Sequence, residues 1–378
     1  MSKPIFSARW QSIDALRGIA ALAVVFFHLF KQTPEDKGVV VPVLANGLRS
    51  VAEYGFAGVF LFFVISGFCI HLRWAKATAA GHAPDMAFLP FWKRRWRRLY
   101  PPYLVVLAMF MLLGAARGDL RLNGFFFYDS LMHLLMLHNL DKSTVYSING
   151  VFWTLAIEEQ LYLAYFLLLY VRKRFGWAWA LLMCAGARVG WFIFGNYWSY
   201  ALVGWHVPVN ESALTHWLTW ALGALAVEWA LGLVKLPKWC KSFSLGIALL
   251  LAAVSLESLM PWSEQFPRYA HDALWLITHP VWGLAFFCLL NHFVHAETDW
   301  QKRAREPRWV GVLAAVGLFS YSLYLTHELV LMQMYQFWIM RQAWLVIALV
   351  VMLPLTLACA WVFFWLCERP FLNPPRSQ

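Results

Sequence analysis

Long apolar runs separated by short polar blocks dominate the chain. Ten runs are long enough to count as spanning helices, at about 13–30, 55–72, 100–116, 151–171, 177–195, 215–234, 243–260, 272–294, 309–334 and 343–366. Roughly 20 mostly apolar residues suffice to cross the hydrocarbon of a bilayer, and each run is close to that length. The stretch LMHLLMLH, 131–138, is too short to span and reads as re-entrant or interfacial. The pattern predicts an all-α polytopic membrane protein of about ten transmembrane helices, in a single transmembrane domain over 1–378. No internal repeat or low-complexity segment interrupts it.

Composition agrees. Of 378 residues, 61% are hydrophobic and only 13% charged, more apolar surface than a soluble domain of this size can hide. Twenty-three Trp and thirty Phe suit aromatic belts at the headgroup level. The net charge of +11 raises the question of nucleic acid, but the basic residues fall in short blocks between apolar runs, so no nucleic-acid partner is expected. With the N-terminus placed inside, the inner segments hold 21 Lys and Arg and the outer loops 8. By the positive-inside rule both termini are expected in the cytoplasm. The first run carries Asp14 and Arg17 and lacks an A-x-A cleavage signal, so it reads as a retained helix. The six cysteines lie mostly inside apolar runs, without CxxC or zinc spacing, and no metal is expected.

The ionisable residues inside the runs are the candidates for chemistry, because each costs on the order of 2.5–3.5 kcal/mol in hydrocarbon. Arg17 and His28 lie eleven residues apart, so they share one helix face at about 16 Å separation, and Asp14 joins that face three residues upstream. KRRWRRLYPPY, 93–103, places Arg95 and Arg98 in a guanidinium cluster suited to a phosphorylated ligand, with lipid headgroups as a competing partner. Ser66 and Gly67 interrupt a wall of Phe, either for close helix packing or to open a slot for a narrow ligand. Glu158 and Glu159 sit within NGVFWTLAIEEQLYL, 149–163, with Glu158 near the level of His28. The segment 319–331 carries Ser320, Tyr324, His327 and Glu328 and is the most polar of the runs. Walker A, DxD, GxSxG and HExxH motifs are missing, and the pairs His133/His138 and His292/His295 show no carboxylate or thiolate support for a metal.

Together these segments resemble the acyltransferase-3 family of integral membrane O-acyltransferases. The matching stretches are DALRGIAALAVVFFH, FFVISGF, RRWRRLYP, NGVFWTLAIEEQLYL, SYSLYLTH and the terminal ERPF at 368–371, in the family's order. Thr154 stands where the family usually has Ser, and Leu161 where Phe is common. The resemblance implies transfer of an acyl group, usually acetyl from acetyl-CoA, to a hydroxyl of an envelope or extracellular carbohydrate, by a multi-pass protein of the inner (plasma) membrane. Its implied partners are acyl-CoA, a carbohydrate acceptor, free or lipid-linked, and membrane lipid. In that reading Arg95 and Arg98, matching the family's R-x-x-R, dock the nucleotide phosphates. The pantetheine arm passes Ser66 and Gly67, and Arg17 lines the path. His28 is the general base and Glu158 orients its imidazole. Asp14, Ser320, Tyr324 and His327 are candidates for holding substrate or the developing oxyanion. The rival reading is a secondary transporter or flippase of a glycan or small solute, which intramembrane charges would also suit.

Overall fold

The computed structural model describes residues 10–31, 42–83, 87–118, 122–303, 307–338 and 344–372; the two chain ends and loop 32–41, used above to assign orientation, lie outside the described residues. Every regular element among the described residues is helical. In chain order they are α1 (Gln11–Lys31), α2 (Pro42–Ala52), α3 (Gly58–Ala79), α4 (Phe88–Ala116), α5 (Gly124–Leu134), α6 (Trp153–Phe175), α7 (Trp177–Ile193), α8 (Ser199–Val203), α9 (Ala213–Ala230), α10 (Phe243–Ser263), α11 (Arg268–Arg303), α12 (Arg308–Leu318), α13 (Ser320–Trp338), α14 (Trp344–Ile347) and α15 (Leu353–Phe363).

Among the described residues, eight helices are long and apolar enough to cross a membrane, and α12 with α13 would make a ninth. The sixth expected run, 215–234, became α9, whose 18 residues include His216 and Glu228 and are mostly buried in protein. By contrast α10 buries almost none of its apolar residues in protein, as suits a helix facing lipid. The chain is therefore an all-α, multi-pass membrane protein. The 131–138 stretch forms the end of α5 and the turn His138–Leu140, too short to span.

Two elements differ from the sequence reading. The third run was expected to start at about residue 100, but α4 begins at Phe88 and carries the arginine cluster on its own first turns. Pro101 and Pro102 lie inside this helix. They remove the two N–H groups that would otherwise reach the carbonyls of Arg97 and Arg98. The ninth run breaks at Phe319, so α12 ends at Leu318 and α13 begins afresh at Ser320.

The chain groups into two compact units, 1–22 with 57–84 and 219–320, and 23–56 with 85–218 and 321–378. The first unit is closed by small residues. A Cβ at Gly67 would collide with the Trp220 carbonyl oxygen, one at Gly223 with Val64 O, one at Gly18 with Leu313 O and one at Gly317 with Asp14 O. Backbones meet directly along α3–α9 and α1–α12, the small-residue packing that membranes favour. In the second unit Leu29, Phe30, Leu331, Met334 and Met352 form an apolar cluster that packs the end of α1 against α13.

Candidate active site

His28 and His327, 299 residues apart in sequence, meet within the second unit. His327 Nε2 lies 3.3 Å from His28 Nδ1, and the ring centroids are 4.9 Å apart. Hydrogen-bond partners fix the tautomers of the neutral rings. His327 Nδ1 faces two carbonyls, Tyr324 O at 2.8 Å and Leu323 O at 3.1 Å, and a carbonyl can only accept. Nδ1 is thus the protonated nitrogen of His327, and its Nε2 is bare. His28 Nδ1 faces that bare nitrogen and the Val24 carbonyl at 3.0 Å, so it too carries its proton. The lone pair of His28 is left on Nε2. His327 is fully buried, whereas His28 is only partly so.

The expectation that Glu158 orients His28 is corrected here, because His327 occupies that place. Glu158 accepts a hydrogen bond from Tyr162 at 2.5 Å and acts electrostatically on Tyr321 and Tyr324 as well. Arg95 lies within electrostatic range of Tyr162, and Arg98 of Tyr321. The Tyr321 hydroxyl donates to the carbonyl of Leu99, the residue after Arg98, at 2.7 Å. His327 follows Tyr321 by six residues, about 9 Å along α13. A column of polar groups therefore runs from the arginine segment of α4 through Glu158 and the tyrosines to the imidazole pair.

Tyr324 stands beside the pair, with its ring centroid 5.8 Å from that of His327. Its hydroxyl lies 2.7 Å from Thr154 Oγ1, and both hydroxyls reach the Val151 carbonyl, at 3.2 and 2.9 Å. Thr154, the departure from the usual Ser, keeps the hydroxyl that this contact uses. Near His327 in sequence, Glu328 accepts the Gly150 N–H at 3.1 Å, and a side chain at Gly150 would crowd that carboxylate at 3.0 Å. The Trp92 indole donates to Glu159 and joins α4 to α6.

The remaining sequence candidates belong to the first unit and do other work. Gly67 opens no slot, because the backbone of α9 fills the space beside it, and Ser66 Oγ accepts from the Trp220 indole at 3.2 Å. The Ser320 hydroxyl donates to Gly317 O at 2.9 Å, closing the helix break, which leaves it no proton for an oxyanion. Asp14 is buried, and Arg17 is half-buried one turn further along α1. Asp14 borders a cavity of about 340 Å³ lined also by Gln11, Gly311, Ala314, Ala315 and Leu318.

Sequence reasoning missed two histidine pairings. His71 Nε2 lies 2.8 Å from Glu228 Oε1, both buried, in the first unit. His133 has carboxylate support after all, since Asp129 Oδ1 is 3.1 Å from its Nδ1, and its ring stacks on His138 at 4.1 Å. The i, i+4 spacing of Asp129 and His133 was the available signal. No cluster of three His, Cys, Asp or Glu able to hold a metal occurs among the described residues.

A further polar network joins the loop regions around Asn139 and Glu211 to α6. Asn139 Nδ2 donates to Glu211 O at 2.8 Å and to Gln160 Oε1 at 3.2 Å, and Tyr146 donates to the Glu211 carboxylate. Burial pushes the Glu211 carboxyl above its ordinary range, against the pull of the Tyr146 hydrogen bond. At Asp141 burial pushes upward, but the Ser143 N–H and the Tyr128 and Ser143 hydroxyls outweigh it and hold the carboxyl below its ordinary range.

Known acyltransferases share sequence with this chain. The chain is 31% identical over 179 residues to the peptidoglycan O-acetyltransferase OatA of Listeria monocytogenes, covering 43% of this chain and 24% of the relative. The O-acetyltransferase OatA of Staphylococcus aureus is 27% identical over 173 residues, 43% of this chain and 25% of the relative. The acyltransferase MdmB of Streptomyces mycarofaciens is 26% identical over 338 residues, 85% of this chain and 79% of the relative. The chain thus spans about a quarter of the length of the two O-acetyltransferases. No solved structure matches it significantly. Residues 10–365 match the acyltransferase-3 family as an acyltransferase domain, and the chain belongs to that family.

Proposed function

We propose that the protein moves an acetyl group from acetyl-CoA, bound from the cytoplasmic side, to a hydroxyl of an envelope carbohydrate. The observation that carries this reading is the His28–His327 contact, which leaves a lone pair on His28 Nε2. That nitrogen takes the proton of the acceptor hydroxyl as its oxygen attacks the thioester carbonyl. The tetrahedral intermediate then breaks its C–S bond, and the proton on Nε2 passes to the departing thiolate to give free CoA. His327 accepts the Nδ1–H of His28 and steadies the charged ring, the part a carboxylate plays in other histidine dyads. Arg95 and Arg98 hold the nucleotide phosphates by charge-assisted hydrogen bonds. Glu158 and Tyr162 keep the guanidiniums in place, and the Tyr324 and Thr154 hydroxyls, both turned to the Val151 carbonyl, brace the start of α6 beside the imidazole pair.

In this reading the arginine end of α4 and both chain termini face the cytoplasm, and the protein resides in the inner membrane. Arg17 and Asp14 serve α1 as a charged anchor at the same face. The relative from Listeria is named for peptidoglycan, which makes peptidoglycan the first acceptor to try.

The test uses detergent-purified protein and labelled acetyl-CoA, following thioester loss and transfer of label to extracted envelope glycans. CoA binding is expected to be lost in Arg98→Ala and kept in His28→Ala, with transfer lost in both. A wild-type protein that binds no CoA and leaves the thioester intact with every envelope acceptor overturns the reading. Solute flux independent of CoA would replace it with transport.

A further inference from the structure

One buried carboxylate in the second unit takes no part in the chemistry proposed above. Glu368, 1% exposed, ends the π-helical turn Phe364–Glu368 that continues α15. It accepts from the Ser322 N–H at 3.1 Å and from the Ser322 hydroxyl at 2.5 Å. Ser322 is itself completely buried. A negative charge on the last turn of its own helix opposes the helix dipole. At the start of α13 the same charge meets a positive helix end and an N–H with no partner within the helix. One residue earlier, Tyr321 is bonded to Leu99 O on α4.

We propose that Glu368 is a positioning residue, which through Ser322 sets the register of α13 and hence the meeting of His327 with His28. This rests on the function proposed above. His327 follows Ser322 by five residues, about 7.5 Å of helix. An α-helix does not compress over so short a length, so a slip at Ser322 arrives whole at His327. The contact it would disturb is 3.3 Å long. The break at Phe319 separates α13 from α12, so the first turn of α13 is a helix start at which such a cap can act. Glu297 treats the start of α1 in the same way, accepting from Gln11 N at 2.9 Å, Ser12 N at 2.8 Å and Ser12 Oγ at 2.5 Å.

The experiment compares wild type, Glu368→Gln and Ser322→Ala in full-length protein, with turnover normalised to the CoA-binding fraction. Glutamine keeps the volume and one acceptor oxygen but loses the charge. A displacement of about 1 Å at a reacting group costs on the order of 100-fold, so a fall in kcat of about 10- to 100-fold is expected for Glu368→Gln. KM for acetyl-CoA should stay within about threefold, and the acid limb of the pH–rate profile, which reports the base, should move. Ser322→Ala, which keeps the N–H bond, should show a smaller loss of the same kind and serves if the glutamine variant does not fold. A purely structural residue would lower the melting temperature and leave normalised kcat and the pH limb unchanged; that result overturns the proposal while the transfer reading stands. A wild type without transfer activity overturns both.

Discussion

The two units use their buried polar groups in opposite ways. In the first, every polar pairing described above ends in closure: His71 against Glu228, Ser66 against Trp220, the start of α1 against Glu297, with glycines letting backbones touch between them. In the second, some pairings also close, such as Glu368 against Ser322 and Asp129 against His133, but one series stops one atom short, at His28 Nε2. The difference teaches how to separate a strut from a reagent inside a membrane protein. Both are expensive to bury. A strut has its partners complete, while a reagent is held by all of its atoms but one.

The sharpest way to break this comparison is to remove the open end. His28→Ala should reduce turnover by about 10²- to 10⁴-fold, the usual contribution of a general base, with CoA affinity by calorimetry unchanged. The double variant His28→Ala/His327→Ala should be no slower than His28→Ala alone, because residues acting as a unit are not additive. Equal multiplicative losses from the two histidines would dissolve the pair.

The corresponding change in the first unit should strike stability. His71→Ala leaves the fully buried Glu228 without its imidazole and should cost about 3–5 kcal/mol, read from thermal unfolding in detergent. His71→Ala/Glu228→Leu should recover most of that loss, with turnover per folded molecule near wild type. A catalytic loss that survives the recovery would mean that the first unit is not only a frame. Gly67→Ala is next in size. Its methyl group meets the α9 backbone, which cannot rotate away as a side chain can, and overpacking of this kind costs about 1–3 kcal/mol. Had Gly67 lined a passage for pantetheine, the alanine variant would instead raise KM for acetyl-CoA at unchanged melting temperature.

The smallest effect concerns the loop after α5. The Asp141 carboxyl titrates below its ordinary range, so the folded loop binds its proton less readily than the unfolded chain. Its contribution is present in full above about pH 4, the ordinary Asp value, and is lost as the pH falls through the lower folded value. Hydrogen exchange of residues 138–147, corrected for intrinsic rates, should rise below about pH 4 in wild type; Asp141→Asn should remove the pH dependence.

Much of the fold was legible in the sequence, because lipid enforces a simple rule on each run. The two elements that were not legible have specific causes. Five basic residues in 93–98 hide the first turns of α4 from a hydropathy reading, and Pro101–Pro102 imitate a helix start. The break at Phe319 has no proline to announce it. Of the site, the eleven-residue spacing of Arg17 and His28 could be read because it lies on one helix. The partnership of His28 with His327 could not, since it joins residues 299 apart, and no local pattern carries such a contact. Gly67 was ambiguous for a physical reason: a missing side chain leaves room, and sequence does not say whether a ligand or a neighbouring backbone takes it.

The imidazole pair ends on the carbonyl oxygens of Leu323 and Tyr324, which are far too weakly basic to accept a proton. It is therefore a cul-de-sac and not a wire. Whatever His28 takes up must leave by the nitrogen through which it entered. In the proposed reading, a catalyst seated in a bilayer can in this way handle protons every cycle without passing them across it.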